Sequence, residues 1–341
     1  MPVKRFFHDS SFWNQPVGPD PAIDPASRPM LDFLAKHDDR GFWINLHKWT
    51  IPIYEVGPST PRRRVHRRYH PDSQGSFLRS VPHLHAAHPL GHGRDFSADA
   101  RAGLIPIPPH ARPDPESDSH IALVDWDRGW IWDMWAARIR PDGEWECNSG
   151  MKYRADGSGV FARAEFAAHN GESIHPYGPS RAAGVPALAG TLMHDEVRAG
   201  RIAHKLSFAT QASALQRFVH PPACWTDGGW PEGLPEGAVV QLDPALDLDR
   251  LALSPAARTV ARALQEYGAV NVDVCGGHAL YGQGLYADPL QRTWRGLLEE
   301  NALIGLTFDH FRVLRMDGLV HEGMGHRETT GIYGHPLPTT G

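Results

Sequence analysis

The chain has 341 residues, room for two ordinary domains or one large one at roughly 150 residues each. Its 34 Lys and Arg against 39 Asp and Glu leave a net charge of −5, without the basic excess that marks a general nucleic-acid binder. With 34 Gly and 30 Pro, a coiled coil or helical bundle is excluded, yet the total stays below the roughly 25–30% typical of disordered chains. Two excesses remain, 21 His and 11 Trp.

No apolar run approaches the ~18–20 residues that span a bilayer, so no membrane partner is expected. The start, Met1-Pro-Val-Lys-Arg-Phe-Phe-His-Asp9, lacks the apolar core of a signal peptide. Localisation stays open between the cytosol and export after loss of a signal. Cys147, Cys224 and Cys275 are far apart and form no CxxC pair. Buried free thiols are expected rather than a disulfide scaffold or thiolate zinc site.

In chain order, residues 1–80 are Pro-rich and are expected to wrap on the rest. Within them Ser27–His37 carries Met30, Leu31, Phe33 and Leu34 at helical spacing, and 42–56 reads as one or two strands. A basic run at 61–70 reads as a solvated loop, with an anion-binding patch as the alternative. The histidines His83, His85 and His88 place an H-x-H pair among prolines. An exposed loop is favoured there over a metal site, and no metal is assigned.

From His120 the pattern is strongly β. Residues 121–126, 130–140 and 144–153 are strand candidates joined by short turn sequences, with further strands at 158–166, 202–210, 237–242 and 269–274. A short helix or turn is predicted at 192–199, closed by Gly200, and helices at 255–267 and 290–300; in the first of these, Ser254 is the N-cap, Pro255 starts the helix and Gly268 ends it. No 20–50-residue period repeats, which excludes solenoids and propellers. The expected fold is a single mainly-β domain over 1–341, a β-sandwich of jelly-roll or concanavalin-like type with a few peripheral helices.

Five of the tryptophans fall between Trp126 and Trp145. Strand alternation sends Trp130, Trp132 and Met134 to one face and Asp133 with Trp135 to the other. A carboxylate beside an indole is suited to gripping a sugar, whose apolar face stacks on the ring. A two-residue loop at Arg128-Gly129 sets His120 opposite Ala137, on the face of Asp133; a three-residue loop sends it to the other face. Further on, Asp195 and Glu196 are adjacent on a short helix and point about 100° apart. His204 follows at the head of an apolar stripe. Asp133 and Glu196 are therefore the candidate acid–base carboxylates. His120 and His204 are candidates for positioning or proton transfer, and Trp132, Trp135 and Asp195 for substrate binding.

Ser119–Asp125 with Asp133-Met-Trp135, then Ala183–Gly190 running through Asp195-Glu196-Val and Gly200–Leu206, and finally Gln241-Leu-Asp243 with Ala263–Gly268 and Asp273, resemble an uncharacterised bacterial family. Its members are mostly predicted secreted proteins found beside carbohydrate-associated modules. The likeness covers about residues 105–275, departs from the family's His-Ala-Leu at His204-Lys-Leu206, and implies context rather than mechanism. No G-x-S-x-G, P-loop or H-E-x-x-H motif occurs, and no cofactor is expected. The expected function is cleavage of glycosidic bonds in a poly- or oligosaccharide by a carboxylate pair. The alternatives are a lyase acting on a uronate-containing glycan and a non-catalytic glycan-binding protein. The glycan and the oligomeric state are not legible.

Overall fold

A computed structural model describes residues 4–67, 93–162 and 181–321. His83, His85 and His88 lie outside these residues. The described chain is mainly β, as expected, and its core is built on two large sheets. The first has six strands in the spatial order Trp43–Asn45, His278–Tyr281, Leu206–Thr210, Ala269–Asp273, Val239–Leu242 and Phe311–Val313. The second has five, in the order Ser149–Arg154, Trp130–Trp135, Ile121–Asp125, Ile51–Glu55 and Gln283–Gly284. Both sheets mix parallel and antiparallel pairs, and neither closes. That pairing departs from the antiparallel ladders of a sandwich built by hairpins and Greek keys.

Alternation along the strands sorts side chains into three apolar layers. Ala122, Val124, Ile131, Met151 and Tyr153 from the second sheet share a core with Ala209, Val270, Val272 and Tyr281 from the first. The outer face of the first sheet, with Ile44, Phe208, Val240 and Leu280, is covered by two helices. One is Ser27–His37, contributing Met30, Leu31 and Leu34; the other is Pro255–Glu266, contributing Ala257, Val260, Ala261 and Leu264. Ser254 Oγ accepts the Ala257 amide at 3.2 Å, and Gly268 follows the helix at φ +77°, as the capping pattern predicts. The outer face of the second sheet packs Ile121, Leu123, Trp132 and Met134 against Phe96 of a helix at Arg94–Ala102.

The N-terminal region is more than a wrapping, because it supplies a strand to each sheet. The chain passes from one sheet to the other twice at the same corner, through residues 46–50 and again at Gly282. The Gly282 amide donates to Asn45 O, and Ile51 N donates to Gly282 O, each at 3.0 Å. The basic run is only partly a loop. Arg62–Arg63 pairs with Ile105–Pro106 and Val65–Arg67 with Trp145–Cys147, while 68–70 lie outside the described residues.

Two predicted elements are replaced. Residues 290–300 form turns, because Gly296 sits at φ +77° in the middle of the apolar pattern and Trp294 is instead buried with its indole on Gln283 O. Residues 158–162 form no strand, since Gly159 is left-handed and its carbonyl takes the Trp13 indole; 163–166 are outside the described residues. The strand Ser213–Val219, missed in the sequence, pairs with Leu234–Glu236 and Leu319–His321. All three cysteines are free, with Cys147 and Cys224 buried and Cys275 partly so.

A Cβ on Gly282 would stand 2.7 Å from Asn45 O and 2.8 Å from Leu46 Cδ2. Gly282→Ala is expected to lower unfolding stability by about 1–3 kcal/mol, read as a lower denaturant midpoint with an unchanged m-value.

Candidate active site

The hairpin pairs Ile121 with Met134, Ala122 with Asp133 and Asp125 with Trp130. Four residues form the loop, so the register lies two positions from the two-residue expectation. A shift of two preserves the face. His120 therefore continues the strand on the side of Asp133 and Trp135, facing the core shared by the sheets.

That face carries a buried polar cluster centred on Arg181, which is 2% exposed. Its Nη2 donates to Ala187 O at 2.9 Å, and its guanidinium lies 3.3 Å over the Tyr281 ring. Nη1 is 4.0 Å from Asp273 Oδ2, and Nε and Nη1 have no hydrogen-bond partner among the described residues. Asp133, fully buried, accepts Tyr153 Oη–H and the Ala187 amide at 2.8 Å each, through the same Oδ2. The Ala187 residue thus ties Asp133 to Arg181, donating to one and accepting from the other. His120 is also fully buried, with neither ring nitrogen hydrogen-bonded; its Nε2 is 4.0 Å from Asp118 Oδ2.

Three part-exposed carboxylates, Asp118, Asp227 and Asp273, adjoin this cluster and act on one another's charge. Tyr281 Oη donates to Asp273 Oδ2 at 3.3 Å, and the Trp135 side chain lies near Asp118. The electrostatics follow from burial and crowding. Burial first, then the neighbouring Asp227 and Asp118 charges, hold the Asp273 carboxyl well above the usual range, although Arg181 opposes them. Asp118 is raised mainly by burial. Asp133 is pushed up to about 7 by burial, against its two hydrogen bonds and Arg181. Burial and Arg181 push His120 well below its ordinary value, so its imidazole is neutral. One guanidinium thus lies among several carboxyls, three of which burial raises, an arrangement suited to general acid–base work.

Local backbone conformation marks the same place. Ser119, between Asp118 and His120, has φ +44°, and Ala136, next to Trp135, has φ +52°. The two kinks are bonded to each other: Ala136 N donates to Asp118 O at 2.8 Å and Ala137 N to Ser119 O at 3.2 Å. Non-glycine residues in this region are uncommon and concentrate where a fold must aim side chains.

The other residues singled out in the sequence go elsewhere. Trp132 is a correction: it is buried on the opposite face, its indole donating to Asp99 Oδ2 at 2.8 Å, so it offers no stacking surface. Glu196 and His204 bind each other, Nε2 to Oε2 at 2.9 Å, while His204 Nδ1 donates to Lys205 O at 2.8 Å. They line a small cavity together with Lys4, Phe6, Trp13 and Asn14 of the N-terminal segment. Two acceptors on the two ring nitrogens require an imidazolium. Burial opposes that charge, but Glu196 outweighs it and raises His204 above its ordinary value. Asp195 points away from Glu196, as the helix geometry predicts, and is held by Arg292 at 2.8 Å and Arg198 at 3.1 Å. Asp118, Arg181, Asp227 and Asp273 were missed. Only Asp273, within the resembling stretch, carried any sequence signal.

Among the described residues no group of three His, Cys, Asp or Glu side chains is arranged to hold a metal ion. Comparison with family models, curated proteins and solved structures finds no match.

Two measurements test this electrostatic reading. Folded Asp133 keeps its proton to about pH 7, whereas an unfolded Asp releases it near pH 3.9. The folded state therefore binds more protons across that window, and stability falls as pH rises through it. Asp133→Asn keeps an acceptor for Tyr153 and Ala187, and is expected to reduce the stability loss between pH 4.5 and 7.5 by roughly 2 kcal/mol in denaturant titrations. For His204 the raised folded value means stability is fully present below ~6.5 and lost as pH rises through the folded value. Glu196→Gln is expected to destabilise by about 3 kcal/mol at pH 6 and by less at pH 9.

Proposed function

We propose that the protein hydrolyses glycosidic bonds of a neutral poly- or oligosaccharide by carboxylate acid–base catalysis. The observation that carries this reading is the group Asp118, Asp227 and Asp273 adjoining the buried Arg181 and His120. It replaces the Asp133–Glu196 pair expected from the sequence. Asp133 has no exposed surface, and Glu196 is committed to His204.

In this reading Asp273 is the general acid. Its carboxyl is held well above the usual carboxylate range by burial and by the neighbouring carboxylates, the same device that raises other buried catalytic acids. Asp227 is the second carboxylate, acting on water or on the anomeric carbon, and its separation from Asp273 in the bound state sets inversion or retention. Arg181 limits how far the acids rise and Asp133 anchors it through Ala187. Trp135, near Asp118, is the stacking surface kept from the sequence expectation.

The lyase alternative has a specific basis in His120, Arg181 and Tyr281, since a neutral imidazole or a phenol can take a proton beside a uronate. The charge balance argues against it. The one guanidinium of the cluster among the described residues already faces several carboxyls, so a uronate would enter a field that repels it.

The test is incubation with a panel of neutral and uronate-bearing glycans, scored for reducing ends and for the absorbance of an unsaturated uronate. New reducing ends from a neutral glycan are expected, falling 10²–10⁴-fold in Asp273→Asn. Unsaturated uronate would shift the assignment to a lyase, and retention without any product would leave a binding protein.

A further inference from the structure

A cavity of about 610 Å³ opens between the helix Ser27–His37, the strand Ser213–Val219 and the segments at 231–232 and 316–319. Its lining is mostly apolar: Pro29, Met30, Phe33, Pro231, Met316 and Leu319. Phe33 is backed by two more rings, with His37 at 4.6 Å and Trp230 at 5.8 Å between centroids. The walls are fastened to the sheets. The Trp230 indole donates to Gln211 O at 2.8 Å and Leu215 N to Trp230 O at 2.7 Å, while Ser27 Oγ accepts the Val313 amide at 2.8 Å. A preformed apolar hollow of this size suits a small molecule.

Arg217 gives that lining its chemistry. It is half-buried, and burial pushes its guanidinium below the ordinary value, which the exposed Glu232 at the rim offsets only in part. Its Nη2 donates to Pro231 O and to Gly233 O, the second at 3.3 Å. Nε and Nη1 make no hydrogen bond, and no carboxylate pairs with the group, among the described residues. The other acids of the lining are engaged: Asp32 accepts Arg28 Nε at 2.8 Å, and Asp24 Oδ1 accepts the Ala26 amide at 2.8 Å. Lys36, exposed, adds a second cation to the rim. The backbone is bent at the same place. The five steps from Ser213 to Phe218 face only the two from Leu234 to Glu236, and within that stretch Gln216 has φ +53°. Such a bulge re-aims side chains, and a left-handed non-glycine residue persists only where its surroundings enforce it. Arg217 is the next residue.

We propose that this cavity binds a small amphipathic carboxylate, with its apolar body on Met30, Phe33 and Met316 and its charge on Arg217. The site is independent of the hydrolase reading, since none of Asp118, Asp227 and Asp273 lines it. A carboxylate supplies the opposite charge and the acceptors that Arg217 lacks, and such charge-assisted bonds are roughly twice as strong as neutral ones. A neutral occupant would bury the guanidinium further with no counter-charge, and a cation would add to the charge already there. The two thioethers are soft and adaptable, so they suit an aliphatic or an aromatic body alike.

The test is calorimetric titration of the full chain with decanoate and naphthoate, each beside its neutral amide, with sedimentation and thermal melting on the same samples. Wild type is expected to bind at least one of the acids, at least about tenfold more tightly than the matching amide. Which acid is preferred distinguishes an aliphatic from an aromatic source. Arg217→Met keeps the bulk and is expected to lose the preference for the acid, while Arg217→Lys keeps part of it. Met316→Trp fills the cavity and leaves the guanidinium in place. It is expected to exclude both acids while melting as wild type does, and it carries the test even if Arg217→Met does not fold. The proposal is overturned by a wild type that binds neither acid, by an amide that binds as tightly as its acid, or by binding indifferent to Arg217→Met and Met316→Trp. A wild-type dimer that Met316→Trp splits, with no acid bound, would also overturn it and give the cavity to a second copy of the chain.

Discussion

Arg181 is a cation removed almost wholly from water, and the polar face between the sheets depends on how that charge is compensated. Desolvating a guanidinium is costly unless opposite charge and hydrogen bonds replace the lost hydration. Here the replacement comes from Ala187 O, the Tyr281 ring and the carboxylates around it. Asp118, His120, Asp133, Tyr153, Asp273 and Tyr281 all feel its charge. Those residues come from both sheets and from the loops between them. One cation thus sets the protonation of groups that the sequence scatters over more than 150 positions.

The sheets make that convergence possible. Asp133, Met151 and Tyr153 stand on the inner face of one, Asp273 and Tyr281 at the inner edge of the other, and the 181–191 segment runs between them. Tight glycines allow this close approach. A Cβ on Gly190 would meet Ser207 N at 2.5 Å, with the residue at φ +70°. Ala187 and Leu188 are thereby held against the sheet, which keeps the Ala187 peptide in reach of both Asp133 and Arg181.

The local features were legible and the distant ones were not. The helices at 27–37 and 255–266 follow from apolar spacing and, for the second, from the Ser254 cap. The face of His120 was recoverable because strand alternation has period two, and an error of two residues in the turn leaves it intact. Glu196 and His204 are eight residues apart, and the tight turn between them closed the pair on itself and left no group for a substrate. The tryptophan-rich hairpin forms where it was expected, but Trp132 is buried on the face opposite Asp133. Arg181, Asp227 and Asp273 meet through parallel pairings and long connections, whose partners no local pattern encodes. Mixed sheets of this kind look, strand by strand, like the antiparallel ones expected from short turns. The failed helix at 290–300 has a simpler cause, since the left-handed Gly296 breaks an otherwise helical apolar period.

The crowding of carboxyls around one guanidinium has a thermodynamic corollary. Asp118 and Asp273 still touch solvent, and part of their charge is supported by that remaining water. Whatever covers them removes the water and pushes both carboxyls further toward the protonated form. Occupancy and protonation of this pair are then linked.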